Sequence, residues 1–250
     1  MTRATGMEYV LILGAKSDLG LELARIYARL GFGLQLLARG SEELVPVAAA
    51  LSREFGIEAR VAECDVLAFD SLAGIYQRLD PQPLGVVSTV GYLGRQPLAE
   101  TEAAEARRII DTNLTGPALF LELAAQGLSR RRAGFIVGVS SVAGERGRRR
   151  NYLYGAAKAG FSAYLSGLRG RLHPCRVQVL TVQLGWMRTK MTRGLRLPGW
   201  PLTLSAGRAA ALIVAAQRRG ADIVYVSALW WWVARVVRCL PEFICKRLDW

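Results

Sequence analysis

Hydrophobic runs of strand length alternate with longer amphipathic stretches through most of the chain. Apolar strands separated by helices are typical of a parallel sheet covered on both faces. The predicted strands cover residues 9–13, 34–38, 59–64, 84–89, 135–139, 177–182 and 223–226. The predicted helices cover residues 19–30, 42–55, 69–79, 100–128, 152–172 and 206–219. The pattern therefore predicts a doubly wound α/β fold, with a single domain over residues 1–227.

The C-terminal segment, residues 228–250, differs in character from the domain. It combines three consecutive tryptophans with four basic residues, namely Arg235, Arg238, Lys246 and Arg247. It is too short and too charged to span a bilayer, but its composition is typical of a segment that lies in the membrane interface. A helix packed on the domain or on a dimer partner has the same composition. Both interpretations stay open.

The composition excludes several classes of protein. Of 250 residues, 52% are hydrophobic and 21% are charged, which excludes a disordered chain. With one histidine and no clustered cysteines, we expect no metal site and no histidine-based triad. We expect four buried free thiols, at Cys64, Cys175, Cys239 and Cys245.

The chain is strongly basic, with 33 Lys and Arg against 20 Asp and Glu and a net charge of +13. Such a charge is typical of proteins that bind nucleic acid, anionic lipid or phosphorylated substrates. We expect no nucleic acid, because no pattern of a DNA-binding or RNA-binding module is found. No signal-peptide pattern precedes the first strand, and the longest uncharged run, 81–94, is shorter than a membrane span. We therefore expect a cytoplasmic protein, peripheral on the cytosolic face of the inner membrane.

A glycine-bearing loop, Gly14-Ala15-Lys16-Ser17-Asp18-Leu19-Gly20, joins the first strand to the first helix. Such a loop lets backbone N–H groups and the positive helix end approach a pyrophosphate. A tight structural turn has the same pattern. The second strand ends at Ala38 and is followed by Arg39, so no carboxylate repels a 2′-phosphate there. With Lys16, this favours NADPH over NADH; NADH stays an alternative donor, and Arg39 stays open to interpretation as a surface residue.

Ser141 closes a strand, and Tyr154 and Lys158 follow four residues apart on a predicted helix. Positions i and i+4 share one helix face, so both side chains can point into one pocket. A nearby ammonium group lowers the pKa of a phenol, which makes Tyr154 a candidate general acid for a carbonyl that is being reduced. Ser141 is expected to hold the substrate oxygen.

These features, with Asp65, Asn113 and the stretch from Gly185 to Thr189, make nearly the whole chain resemble the short-chain dehydrogenase/reductase family. The resemblance implies a Rossmann fold, with Asp65 at the adenine, Thr189 at the carboxamide and Lys158 also at the nicotinamide ribose. It implies that Asn113 anchors a proton-relay water and that the catalytic tetrad is Asn113, Ser141, Tyr154 and Lys158. The implied cofactor contacts are Gly14, Lys16, Ser17, Asp18, Leu19, Gly20, Arg39, Asp65, Val66, Gly91, Tyr154, Lys158, Gly185 and Thr189. The chain departs from the family pattern at Leu13, Asp18, Leu184 and the stretch 88–91.

A narrower resemblance runs through SSVAGERGRRRNYLYGAAKAG, WMRTKM and the closing VYVSALWWWVARVVRCLPEFICKRL. It is to the reductases that act on decaprenylphosphoryl-2-keto-erythro-pentose, the second half of a two-enzyme 2-epimerase. This implies a lipid-linked phosphosugar substrate and a flavin oxidase partner. The candidates for binding the substrate phosphate are Arg146, Arg148, Arg149 and Arg150, although a solvated basic loop has the same pattern.

Two alternatives stay open at this point. One is a reductase of the same chemistry that acts on another lipophilic ketone or oxoacyl substrate. Another is a non-catalytic, membrane-associated scaffold with the same fold. A homo-oligomer is compatible with each of these interpretations.

Overall fold

The computed structural model describes residues 6–194, 197–199 and 202–247, so the last three residues of the predicted C-terminal segment lie outside it. The strands are β1 (Tyr9–Leu13), β2 (Gly33–Ala38), β3 (Ala59–Glu63), β4 (Gly85–Ser88), β5 (Phe135–Ser141), β6 (Gln178–Leu184), β7 (Trp186–Arg188), β8 (Thr203–Ser205) and β9 (Ile223–Tyr225). Within the described residues, seven of them form a parallel sheet in the order β3-β2-β1-β4-β5-β6-β9, and β7 pairs with β8. The predicted Rossmann-like α/β fold and its seven strands are confirmed.

Helices cover both faces of the sheet. They are α1 (Asp18–Arg29), α2 (Val45–Phe55), α3 (Phe69–Gln77), α4 (Gln96–Ala99), α5 (Ala103–Ile110), α6 (Gly116–Arg131), α7 (Tyr152–Leu172), α8 (Ala206–Arg218), α9 (Ala228–Cys239) and α10 (Glu242–Cys245). Alternate residues of β1 belong to two different cores, because successive strand side chains point to opposite faces. Val10 and Ile12 pack with α1, α2 and α8, whereas Leu11 and Leu13 pack with α3, α6 and α7. Burial on both faces explains why β1 is apolar throughout.

The helix predicted over residues 100–128 was wrong as one continuous element. The structure divides it into α5, a π-helical turn over Asp111–Thr115 and α6. Pro117 gives the physical reason, since it has no N–H to donate to the carbonyl of Asn113 in an α-helical ladder. The turn therefore falls at the predicted catalytic asparagine.

The thiols are only partly as predicted. Cys64 and Cys245 are buried, Cys175 is half-buried and Cys239 is exposed, and all four are free. Cys239 is exposed because it lies on the outward side of α9, which packs against the domain through its opposite side. Among the described residues, no helix has the length and apolar character needed to cross a membrane.

Candidate active site

One large cavity of 1570 Å³ opens beyond the carboxyl ends of β1, β4, β5 and β6. The strand order reverses between β1 and β4, which is where doubly wound sheets bind their ligands. Most of the predicted cofactor residues line this cavity, namely Gly14, Lys16, Ser17, Asp18, Leu19, Arg39, Asp65, Val66, Gly91, Tyr154, Lys158, Gly185 and Thr189. Its volume exceeds the roughly 300–1000 Å³ of a pocket for a drug-sized ligand, so it has room for more than one small molecule.

The turn at Gly14 fits a pyrophosphate. Gly14 has φ +83°, and a Cβ there would lie 3.0 Å from the backbone nitrogen of Val90, so only glycine suits the position. Ser17 caps α1 by accepting a hydrogen bond from the Gly20 backbone nitrogen at 3.0 Å. Gly20 itself is buried at the start of α1, where a Cβ would lie 2.9 Å from the Gly14 carbonyl oxygen. The positive end of α1 therefore faces the cavity at a close-packed turn.

The adenosine end of the cavity is more acidic than the sequence indicated. Arg39 is exposed there, directly after β2. Lys16 donates to the Gly40 carbonyl at 3.2 Å and forms an ion pair with Glu43 at 2.5 Å. Glu63, at the end of β3, accepts from the backbone nitrogens of Gly40 and Ser41. Two carboxylates that sequence reasoning missed thus lie beside the predicted 2′-phosphate residues.

Asp18 stands where the family pattern has a glycine, and the structure gives its carboxylate a role. The carboxylate accepts a hydrogen bond of 2.7 Å from the backbone nitrogen of Lys190. This contact joins the start of α1 to the stretch that begins at Thr189, whose hydroxyl caps the following turn. The departure from the family pattern therefore connects two predicted cofactor segments.

The structure brings Ser141, Tyr154 and Lys158 together at the wall of the cavity. Ser141 ends β5, and its hydroxyl donates to the Leu184 carbonyl at 3.2 Å. Neighbouring Ser140 is buried and donates to the Lys158 carbonyl at 2.9 Å, which holds α7 against β5. A Cβ at Gly144 would lie 2.6 Å from the backbone nitrogen of Ala159 in α7. The close approach of the chain at Gly144 to α7 therefore requires glycine.

Lys158 is buried and donates to two backbone carbonyls, those of Val139 at 3.1 Å and Val90 at 3.2 Å. Burial lowers the pKa of Lys158 to about 7. Burial also raises the pKa of Tyr154, and the hydrogen bond with Ser141 lowers it by less. The prediction of a lowered tyrosine pKa was therefore wrong, because desolvation disfavours the phenolate. Tyr154 is held protonated, which is the form that a general acid needs.

Asn113 lies behind the cavity wall rather than on it. It is fully buried, and its amide nitrogen donates to the carbonyls of Tyr92 at 2.6 Å and Ile109 at 2.8 Å. Its amide oxygen accepts from the Tyr92 nitrogen at 3.1 Å. Within the described residues, all the hydrogen bonds of this side chain go to the backbone of the protein. They position the Val90–Tyr92 loop, which also accepts a hydrogen bond from Lys158. That Asn113 anchors a proton-relay water stays a prediction.

Comparison of the sequence with known proteins identifies the family of this chain. A family profile described as short chain dehydrogenase matches residues 8–198. The chain belongs to the short-chain dehydrogenase family. It is 35% identical over 251 residues to a Mycobacterium tuberculosis protein named as an uncharacterized oxidoreductase, and the match covers 98% of each chain. We conclude that it is an oxidoreductase of this family.

Solved structures of this family share the fold. A short-chain dehydrogenase from Sphingobium yanoikuyae in complex with NADPH gives a TM-score of 0.81 at 23% identity, covering 97% of this chain and 96% of that one. A short-chain dehydrogenase from Burkholderia cenocepacia in complex with NADP gives a TM-score of 0.83 at 23% identity and covers 97% of each chain. At this identity the likeness shows the fold alone.

The four arginines predicted to bind phosphate have different positions in this short-chain dehydrogenase. Arg148 and Arg150 line the large cavity. Arg149 is exposed and lines a separate small pocket with Gln96, Pro97 and Glu100. Arg146 donates to the Leu240 carbonyl at 2.5 Å and pairs with Glu242 at 2.6 Å. For Arg146 the prediction was wrong, because its guanidinium is bound by the C-terminal segment and does not line the cavity.

The C-terminal segment contributes to the same cavity, which sequence reasoning missed. Trp230 and Val233 line the cavity from α9. Trp230 is 6% exposed, and its indole donates to the Leu202 carbonyl at 2.8 Å. A Cβ at Gly185 would lie 2.0 Å from that indole, so Gly185 makes room for it. α9 is therefore part of the wall of the site.

Proposed function

We propose that this protein reduces a ketone with NADPH as the favoured donor and a polyprenylphosphoryl 2-keto-pentose as the substrate. The observation that carries the proposal is the meeting of Ser141, a protonated Tyr154 and a buried Lys158 on one cavity wall. When bound, the reduced nicotinamide supplies a hydride to the keto carbon. The overall reaction then needs one proton for the developing alkoxide.

The chain's own residues supply that proton. Ser141 is placed to orient the carbonyl oxygen by hydrogen bonding. Tyr154 then donates its phenolic proton to the same oxygen. Lys158, whose pKa is about 7, exchanges protons readily near neutral pH and restores the tyrosine. Asn113 acts as a positioning residue, because it holds the loop that receives a hydrogen bond from Lys158.

The preference for NADPH is supported by the cations at the adenosine end. Arg39 is exposed on the cavity, and Ala38 before it presents no carboxylate. A guanidinium forms strong, charge-assisted hydrogen bonds to phosphate. The structural neighbours from Sphingobium yanoikuyae and Burkholderia cenocepacia are named as NADPH and NADP complexes, which agrees with this preference.

The substrate class is supported by further residues that line the cavity. Arg148 and Arg150 offer positive charge for a substrate phosphate. The apolar side chains of Leu93, Met191, Trp230 and Val233 line the same cavity and suit a prenyl chain. We place the protein at the cytosolic face of the inner membrane, where it would receive the ketone from a flavin oxidase.

The substrate test uses lipids extracted from cells that lack the protein, in which the ketone would accumulate. With wild-type protein and NADPH, we expect mass spectrometry to show a polyprenylphosphoryl keto-pentose gaining two hydrogen atoms. The double variant Arg148→Ala/Arg150→Ala should raise KM by about tenfold or more, since each charged contact contributes on the order of 1.5–3 kcal/mol. Arg149→Ala, the matched control, should stay near wild type.

Other outcomes decide between the alternatives. Reduction of a different lipid ketone would retain the reductase and reject the sugar. Equal KM values for the double variant and the control would reject phosphate binding at Arg148 and Arg150. If the folded protein bound neither NADPH nor NADH, a scaffold without catalytic activity would replace the proposal.

A further inference from the structure

The helix α9 has two apolar faces, and only one of them is covered by the domain. Trp230, Ala234 and Val237 are buried on the inner face. On the opposite side, which we call the outer face, lie Leu229, Trp232, Val236 and Cys239, and all four are exposed. Trp232 is 62% exposed and Val236 is 60% exposed. Phe243, which is 59% exposed on α10, extends this apolar surface.

Positive charge surrounds the outer face. Arg235, Arg238, Lys246 and Arg247 are all exposed in this part of the chain. Arg235 lies with its guanidinium carbon 4.5 Å from the Trp231 ring centroid. Glu242 is the one acidic residue of the segment 228–247, and it is paired with Arg146. The surface therefore combines exposed tryptophan and aliphatic side chains with an excess of positive charge, which complements an anionic lipid bilayer.

The inner face joins this surface to the active site. Trp230 and Val233 line the cavity. Arg146, from the loop between Ser141 and Tyr154, donates to the carbonyls at the end of α9. Tyr225 donates to Glu145 of the same loop at 2.7 Å. The outer face is thus fixed relative to the residues that would carry out the reduction.

We propose that the outer face of α9 lies on an anionic bilayer and that the inner face holds the substrate end of the cavity at that surface. A lipid-linked substrate then reaches Tyr154 while its prenyl chain stays partly in the membrane. This inference rests on the proposed function for the identity of the substrate. The docking surface itself rests on exposure and charge alone.

The test is co-sedimentation of the full-length protein with vesicles of phosphatidylglycerol and phosphatidylcholine. We expect binding that increases with the phosphatidylglycerol fraction and falls at high salt. Trp232→Glu/Val236→Glu should lower the partition coefficient by about tenfold or more, because it removes two exposed apolar anchors. Leu212→Glu, a matched control on α8 with a leucine that is 41% exposed, should bind like wild type. Each variant should retain wild-type NADPH affinity, which shows that it is folded.

A second readout uses Cys239, which is exposed on the outer face. An environment-sensitive fluorophore on this thiol, in a Cys175→Ser background, should shift to the blue on phosphatidylglycerol vesicles. No vesicle binding by the wild type, or equal binding by the double variant, would overturn the proposal. If the wild type formed a dimer and did not bind vesicles, and the double variant were a monomer, the outer face would instead bind a second copy of the chain. Vesicle binding without reduction of any lipid ketone would reject the proposed function and retain the docking surface.

Discussion

The carboxylate of Glu43 lies 2.5 Å from the ammonium nitrogen of Lys16, at the end of the cavity that is predicted to receive the adenosine 2′-phosphate. Glu43 therefore competes with a phosphate for this cation. The ion pair is partly exposed, and such pairs contribute about 0.2–1 kcal/mol. We predict that Glu43→Gln strengthens NADPH binding by about two- to fivefold and leaves NADH nearly unchanged. Fluorescence titration measures both, and Glu54→Gln is a control with the same charge change on the exposed side of α2.

A variant of Arg39 provides the opposite test at the same end of the cavity, because it removes a cation instead of a carboxylate. Arg39→Asp removes a cation and places a carboxylate after β2, where it would repel a 2′-phosphate and could bind a ribose hydroxyl. We expect the Kd for NADPH to rise by about tenfold or more. The Kd for NADH should change little or fall. Equal weakening of both cofactors would show that the side chain points elsewhere.

Lys158 makes the stability of the protein depend on pH. Its pKa falls from 10.5 to about 7 on burial, so between these values the unfolded chain binds more protons than the folded one. The free energy of unfolding contributed by this group therefore rises as pH increases from 7 toward 10. Lys158→Met should abolish that rise. Urea unfolding at several pH values measures it, and an unchanged slope in the variant would contradict the assignment.

Arg146 is predicted to hold the C-terminal segment in place. Its guanidinium bonds to Leu240 and Glu242, so Arg146→Ala should loosen the chain that follows α9. We expect faster tryptic cleavage after Arg238, Lys246 and Arg247, with NADPH affinity unchanged. Arg149→Ala, on the same loop but exposed, is the control. Protection equal to that of the control would show that this contact does not restrain the segment.

Hydrophobic pattern alone predicted the sheet, because strands buried on both faces must be apolar throughout. The i, i+4 spacing of Tyr154 and Lys158, after the strand that Ser141 closes, predicted that the three side chains share one pocket, and all three line the cavity. The π-helical turn could have been found, because Pro117 falls inside the predicted helix and cannot donate a backbone hydrogen bond. The fold thus follows largely from local signals.

Other features depend on contacts between distant parts of the chain. Arg146 and Leu240 are 94 residues apart, so a basic loop gives no sign that its first arginine bonds to the C-terminal segment. The contact between Gly40 and Glu63 arises only when β2 and β3 pair. The pKa of Tyr154 also depends on burial, which the spacing of Tyr154 and Lys158 does not reveal. These effects require the three-dimensional arrangement.

Deuterium transfer tests whether Tyr154 protonates a ketone that NADPH reduces. NADPH deuterated at C4, on each face in turn, is supplied to the protein with lipids extracted from cells that lack it. We predict deuterium on a polyprenylphosphoryl pentose, with the rate lowered by about 10² or more in Tyr154→Phe and cofactor binding retained. Near-normal transfer in Tyr154→Phe, or no transfer by wild-type protein that binds NADPH, would reject this mechanism.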